Sequence, residues 1–399
     1  MVKSFKANPM YYPRKIEKEV LRGIEHNPVT AILGPRQCGK STLAKYIIGS
    51  ISKEVVFIDL ERPADIQKLE NAEWFLAANK EKLICIDEIQ RRPDLFPLLR
   101  SLVDDWGGTG HFLILGSASR DLLKQSSESL AGRITYKYLT PFLIDELPEG
   151  YSSDKYLLRG GFPRSLLAED ENISFEWRED FITTFLERDL LLWSGFSPAT
   201  MKKLWMMMAN LNGQIVNYSL IAASLGVSSV TAKNYADLLS STFMLRLLPP
   251  YLAKTRKRLI KSPKIYIADT GLTNALLGIS EFNQLAGHPS MGAAWEALVF
   301  ANLFGSFPKG GFYFYRTSNG AEIDIILTYR GKLIAVECKA STSPVLTSGT
   351  YSAIDDIKPD ATIVVSPVEN GWPLKPGIEV LNISSAIEKV KQLLIKPKM

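Results

Sequence analysis

The stretch VTAILGPRQCGKSTLAKYI, residues 29–47, decides the fold. An apolar run gives way to a glycine-rich turn and then to a helical pattern. The turn reads Gly34-x-x-x-x-Gly39-Lys40-Ser41, the spacing of a phosphate-binding loop. Glycines let backbone N–H groups converge on phosphate oxygens, and the helix that follows adds the positive end of its dipole. Lys40 is placed to meet the β- and γ-phosphates of ATP and Ser41 to ligate Mg²⁺. Pro35, Arg36, Gln37, Cys38 and Thr42 complete the nucleotide-binding stretch. A plain glycine turn is the competing reading, but every letter of the motif is present between a strand and a helix.

A nucleotide loop does not by itself mean hydrolysis. KLICIDEIQ, residues 82–90, is an apolar strand ending in Asp87 and Glu88. Asp87 is expected to hold Mg²⁺ through water and Glu88 to act as general base on the attacking water. EVVFIDL, residues 54–60, is a further strand. HFLILGSAS, residues 111–119, is another, ending in small polar residues. Ser117, with Ser119 next, is the choice for sensing the γ-phosphate. A helical stretch over residues 120–132 ends at Gly132-Arg133, before the strand-like RITYKYL. Arg133 has two readings: an arginine finger reaching the nucleotide of a neighbouring copy in a homo-oligomer, or a cation favoured at a helix C-terminus.

The phrases GPRQCGKST, LICIDEIQRRPDLFPLLRSLVD, LILGSAS and SLAGRI resemble the AAA-type ATPases of bacteria and archaea whose C-terminal half carries a nuclease-like domain. The resemblance covers nearly the whole chain. It implies a five-stranded parallel sheet with one strand inserted between the two ATP motifs, followed by a helical lid. In YLLRGGFPRSLLAED, residues 156–170, it places the lid's glycine–proline turn over the nucleotide, with Arg164 reaching phosphates. The residues alone also allow a loop opening a helix with Pro163 in its first turn.

The bulk numbers agree with a soluble, multidomain protein. At 399 residues the chain exceeds one ordinary core. Hydrophobic residues are 46 %, charged residues 22 %, and the net charge of +5 permits an anionic partner without demanding one. Three widely spaced cysteines, Cys38, Cys85 and Cys338, form neither a zinc spacing nor a disulfide framework, which fits a reducing cytoplasm. No apolar run is long enough to span a bilayer, so no membrane partner is expected. Cys38, inside the phosphate loop, is a candidate for thiol-sensitive nucleotide binding.

Residues 217–245 read as two helices around Gly226, with Ser228 or Ser229 capping the second. Leu220, Ile221, Leu225, Val227, Val230, Leu238 and Leu239 are their expected shared core. This is a helix-turn-helix pattern, of winged type. Its second helix offers Lys233 and Asn234 against Asp237, little positive charge for a phosphate backbone. KTRKRLIKSPK, residues 254–264, is the stronger electrostatic feature. It is either a wing touching DNA or RNA, or a solvated loop.

AEIDIILTYRGKLIAVECKA, residues 321–340, reads as a hairpin turning at Arg330-Gly331. That turn pairs Tyr329 with Lys332 and brings Asp324 opposite Glu337 and Glu322 opposite Lys339. Directly opposed residues share a face. Two facing carboxylates repel unless a proton or divalent cation lies between them. GAAWEALVFANLF, residues 292–304, is a helix apolar nearly all round whose one charge, Glu296, is expected to face a polar site. Glu296, Asp324, Glu337 and Lys339 together resemble the PD-(D/E)xK nuclease fold, with Mg²⁺ on the three carboxylates and Lys339 orienting water or stabilising charge. Ile323 stands where that pattern has its proline. A Glu322–Lys339 ion pair with Glu337 exposed is the simpler reading.

The expected architecture is therefore α/β: an AAA-type P-loop core over residues 1–145, a helical lid over 146–200, a winged helix-turn-helix over 201–262, and a restriction-endonuclease-like domain over 263–399. The expected function is Mg²⁺-dependent ATP hydrolysis coupled to a nucleic-acid-directed nuclease-fold domain. The competing class is an ATP-dependent regulatory switch whose nuclease-like domain binds a partner without cutting.

Overall fold

Five apolar runs assemble into one parallel sheet: β1 (Val29–Leu33), β2 (Val55–Asp59), β3 (Leu83–Asp87), β4 (Phe112–Gly116) and β5 (Ile134–Tyr138). Their order is β2-β3-β4-β1-β5. β1, β3 and β4 are buried along their whole length, as parallel strands covered on both faces must be. The strand lying between the two nucleotide motifs is β4, the one that Ser117 follows. Leu33 is partnered with Gly116, and Ile86 with Ile114. The phosphate loop, Asp87 and Ser117 therefore leave the sheet at the same carboxyl edge, where open α/β sheets bind their ligands. Leu95, Phe96, Leu99, Leu102 and Val103, on one face of the helix Leu95–Trp106, pack on this sheet beside Ile84, Ile86 and Phe112.

The structure is a computed structural model that describes residues 11–117, 129–189, 197–252 and 260–395. Ser119, most of the helical stretch 120–132 and residues 254–259 of the basic run lie outside these. The chain divides into two compact units. The first runs to Phe142 and takes in Ser241–Phe243; the second comprises the rest.

In the second unit, the glycine pair expected to close over nucleotide is fixed from within. Gly161 N–H donates to Asp269 Oδ2 at 2.7 Å, and a Cβ on Gly160 would run into the same carboxylate. Asp269 also caps the helix Thr270–Leu276 through Leu272 N–H. The buried Arg178 guanidinium ties Leu158 O to Gly271 O, both at 3.1 Å. These buried polar groups lock residues 157–178 onto 269–274. Arg164 is exposed on the short helix Pro163–Leu166.

The helices Tyr218–Leu225 and Ser229–Ser241 flank Gly226, whose φ of +67° ends the first. Ser228 is the cap, its Oγ accepting from Thr231 N–H at 3.0 Å. Ile221, Leu238 and Leu239 are buried as expected, whereas Leu220 (60 % exposed) and Val230 (69 % exposed) face outward. Both sit near the start of their helices, where the inner face is taken by residues one or two positions on, Ile221 and Ala222 in the first and Ala232 in the second. The pair is followed by an antiparallel ribbon, β6 (Leu245–Leu248) with β7 (Lys264–Ile267).

The remaining strands form a six-stranded mixed sheet. They are β8 (Gly311–Arg316), β9 (Glu322–Tyr329), β10 (Lys332–Cys338), β11 (Ala361–Val365), β12 (Trp372–Lys375) and β13 (Ile378–Leu381), ordered β12-β13-β11-β10-β9-β8. The β9–β10 hairpin turns at Arg330 (φ +49°) and Gly331 (φ +74°). Its ladder runs from Lys332↔Tyr329 to Val336↔Ile325. One further step sets Asp324 against Glu337, the register expected from the turn. Among the described residues no helix is long and apolar enough to cross a membrane.

Candidate functional site

The phosphate loop is shaped by its glycines. Gly39 holds φ +102°, and a Cβ on Gly34 would overlap the carbonyl oxygen of Leu139. Lys40, buried at the start of the helix Lys40–Ser50, folds back on the loop, its Nζ donating to Gly34 O at 3.0 Å and Pro35 O at 2.8 Å. Ser41 Oγ donates to Asp87 Oδ2 at 2.6 Å. Burial pushes the Asp87 carboxyl up, and the Ser41 hydrogen bond works against that shift. A hydroxyl and a carboxylate side by side beneath a lysine are a hard oxygen donor set, which fits magnesium with a nucleotide. Arg36 pairs with Glu61 at 3.7 Å, Gln37 is exposed on the loop and Thr42 is exposed in the first turn of the helix Lys40–Ser50.

Glu88 directly follows Asp87 with φ +57°, a left-handed conformation rare for a glutamate. Its carboxylate is held by the side-chain amide of Gln90, which also donates to Ser117 Oγ at 2.9 Å. The expected base and sensor are thus joined through a residue that sequence reading passed over. Arg14 is a second such residue. Its guanidinium donates to Cys38 O at 3.1 Å and Thr140 O at 2.6 Å and lies over the Phe142 ring. The signal for Arg14 was slight, one arginine ahead of the first helix.

Two expectations change. Cys38 is fully buried and burial pushes its thiol up, so the thiolate that oxidation requires is disfavoured. Arg133 is satisfied within its own chain. It pairs with Asp104, Nη2 to Oδ2 at 2.9 Å, and donates to Ala131 O at 2.9 Å.

In the second unit the hairpin, the helix Met291–Ser306 and β7 bring charges together. Asp324 Oδ2 accepts from Cys338 N–H at 2.9 Å. Lys339 Nζ lies 2.8 Å from Glu337 Oε1, which also accepts from Thr350 Oγ1 at 3.2 Å. Glu337 Oε2 is buried without a hydrogen-bond partner. Glu296 and Asp324 are joined by Lys264. Its Nζ is 3.0 Å from Glu296 Oε1, 3.1 Å from Glu322 Oε1 and 3.4 Å from Asp324 Oδ1. Tyr266 OH also donates to Glu296 Oε1.

Lys264 ends the basic run read as a nucleic-acid-touching wing or a solvated loop; instead its side chain is 2 % exposed. It lies two residues before Tyr266 on β7, so both point to one face. Burial disfavours its ammonium, but Glu296, Asp324 and Glu322 outweigh that and hold its pKa above the ordinary range. Glu296 and Glu337 are each pushed up to about 7, by burial first and then by Asp324. Glu322 pairs with Lys264 and Arg316 rather than with Lys339. Among the described residues no group of three His, Cys, Asp or Glu is arranged to hold a metal ion. Glu296, Asp324 and Glu337 thus differ from the divalent set expected of them: ammonium groups take the positions between and beside these carboxylates.

The sheet order and the loop–Asp87 geometry define a P-loop ATPase of AAA type. Residues 26–147 match the AAA domain family, residues 151–283 a domain of unknown function, DUF8612, and residues 291–386 a second, DUF4143. The uncharacterized protein Rv2008c of Mycobacterium tuberculosis is 39 % identical over 375 residues, covering 92 % of this chain and 84 % of its own. Protein Mb2031c of Mycobacterium bovis matches equally. The uncharacterized protein MJ1544 of Methanocaldococcus jannaschii is 26 % identical over 343 residues, covering 78 % of this chain and 75 % of its own. The chain belongs to the family of these mycobacterial proteins. Among solved structures, the Walker-type ATPase PABY2304 of Pyrococcus abyssi aligns with a TM-score of 0.47 at 18 % identity, over 67 % of this chain and 96 % of that one. DnaA of Aquifex aeolicus aligns with a TM-score of 0.29 at 13 % identity, over 57 % and 86 %.

Proposed function

We propose that the protein is a Mg²⁺-dependent ATP hydrolase whose turnover drives a nucleic-acid-directed C-terminal unit. The observation that carries the ATPase reading is the pairing of Ser41 with Asp87 at 2.6 Å beneath Lys40. Bound magnesium would neutralise charge between the β- and γ-phosphates. The chain's own residues supply the rest. Backbone N–H groups of Gly34–Lys40 cradle phosphate, Lys40 swings from its carbonyl partners to the phosphates, and Glu88 takes the proton of the attacking water. Gln90 holds Glu88 in register with Ser117.

In this reading residues 146–200 act as the lid, with Arg164 on its surface. Residues from 201 to the end of β7 form a winged helix-turn-helix, and the remainder is a restriction-endonuclease-like domain of the PD-(D/E)xK kind. The helix carrying Glu296, Asp324 on β9, and Glu337 and Lys339 at the end of β10 support that assignment. ATP turnover would change how these modules are presented to DNA or RNA. Arg133 serves a homo-oligomer only by leaving Asp104. A test is ATP hydrolysis by wild type and Glu88→Gln, with nucleic-acid binding measured in each nucleotide state. Nucleic-acid affinity indifferent to ATP, ADP and no nucleotide would remove the coupling.

A second reading, the regulatory switch whose nuclease-like domain binds without cutting, is favoured by one observation: Lys264 stands between Glu296 and Asp324.

A further inference from the structure

We infer that Lys264 is the resident cation of the C-terminal acidic cluster and takes the place a divalent ion would hold. The inference rests on the nuclease-like reading of this domain and concerns what its cluster has become.

Three carboxylates, Glu296, Glu322 and Asp324, lie within 3.4 Å of one ammonium. A buried carboxylate needs a counter-charge or a proton, and Lys264 supplies that charge from inside the chain. The ammonium cannot swing away cheaply. Its Nζ lies over the Phe314 ring, 5.7 Å from the ring centre. Its backbone is held in β7, paired with Leu248 and bridged to Ile215. Tyr266, on the same face of the same strand, fixes Glu296 Oε1 from the other side. Around Glu337, Lys339 already occupies Oε1. A dication entering here would meet two ammonium groups, and would find Glu296 Oε1, Asp324 and Glu337 Oε1 already hydrogen-bonded or ion-paired. Direct ammonium–carboxylate contact also needs no water, which suits a pocket this buried, whereas Mg²⁺ gives up its water shell reluctantly.

The same geometry says what Lys264 holds closed. Removing its side chain would leave Glu296 Oε1, Glu322 Oε1 and Asp324 Oδ1 around the space its ammonium held. Three carboxylate oxygens facing a vacated space are a divalent-ion site. One residue thus separates a charge-neutralised binding domain from a metal-loaded one.

The test is Mn²⁺ uptake by the full chain without nucleotide, read by electron paramagnetic resonance, in wild type, Asp324→Asn, Lys264→Ala, Lys264→Gln and the Lys264→Ala/Asp324→Asn double variant. The expected result is no wild-type uptake that depends on Asp324, and one added ion per chain in Lys264→Ala that the second substitution abolishes. Wild-type uptake lost in Asp324→Asn overturns the inference, and this comparison stands even where the Lys264 variants fail to fold. A folded Lys264→Ala or Lys264→Gln, judged by circular dichroism, that gains no ion also overturns it. The nuclease-like reading fails separately, if no form of the protein associates with DNA or RNA.

Discussion

Gln90 and Ser117 are joined by a 2.9 Å hydrogen bond from the glutamine amide, and the same nitrogen reaches the carboxylate of Glu88. A single side chain therefore spans the ends of two neighbouring strands at the nucleotide edge of the sheet. Gln90 positions the base rather than reacting itself. Gln90→Ala should lower kcat for ATP by roughly fivefold, the equivalent of one net hydrogen bond of about 1 kcal/mol, with KM nearly unchanged. Steady-state kinetics check this. A fall confined to KM would place Gln90 in binding instead.

Lys40 and Glu88 divide binding from chemistry. Lys40→Ala should abolish nucleotide binding in calorimetry, because Arg36, the loop's other cation, is paired with Glu61. Glu88→Gln should bind ATP but turn it over about 10²- to 10⁴-fold more slowly, the usual worth of a positioned general base. Hydrolysis by Glu88→Gln at the wild-type rate would remove the base.

Gly34 is set by space rather than by backbone conformation. A Cβ there overlaps the carbonyl oxygen of Leu139, which is backbone and cannot turn aside. Gly34→Ala should cost about 1–3 kcal/mol, the range for overpacking a tight site, and should weaken ATP binding by displacing the loop. Urea unfolding and nucleotide titration measure the two effects. A wild-type midpoint would mean that β5 yields more readily than the packing implies.

Much of this was legible beforehand, and the reasons differ from site to site. The phosphate loop and Asp87-Glu88 are contiguous motifs whose chemistry demands those residue types at that spacing, so the chain order nearly gives the site. The β9–β10 register was also accessible. An Arg-Gly turn of two residues sets the pairing of every residue outward from it, up to Asp324 beside Glu337. What escaped was long-range partnership. Lys264 sits at the end of a run rich in lysine and arginine, and nothing in that run distinguishes the buried Lys264 from the exposed Lys261; only the β6–β7 ribbon carries it to Glu296. Gln90 and Arg14 were missed because each acts through geometry across separate segments. Leu220 and Val230 were misassigned because helical periodicity in a short helix leaves the inner face ambiguous by one position.

The paired glutamates make the C-terminal unit sensitive to pH in a direction that can be worked out. Glu296 and Glu337 stand at about 7, pushed up by burial and then by Asp324, while an unfolded glutamate titrates near about 4.3. Between those values the folded chain keeps protons that the unfolded chain has released. Stability therefore falls as pH rises. The contribution is complete below the unfolded value and lost as pH passes about 7. Glu337→Gln keeps the shape and removes one titrating group. The variant's unfolding free energy minus that of wild type should therefore climb as pH is raised from about 5 to about 7.5, whatever offset the loss of the Lys339 ion pair adds at every pH. Urea unfolding of both proteins across that range supplies the difference. A flat difference would mean that Lys339 keeps Glu337 ionised throughout, and a falling one that the Lys339 ion pair holds the carboxyl below its ordinary value.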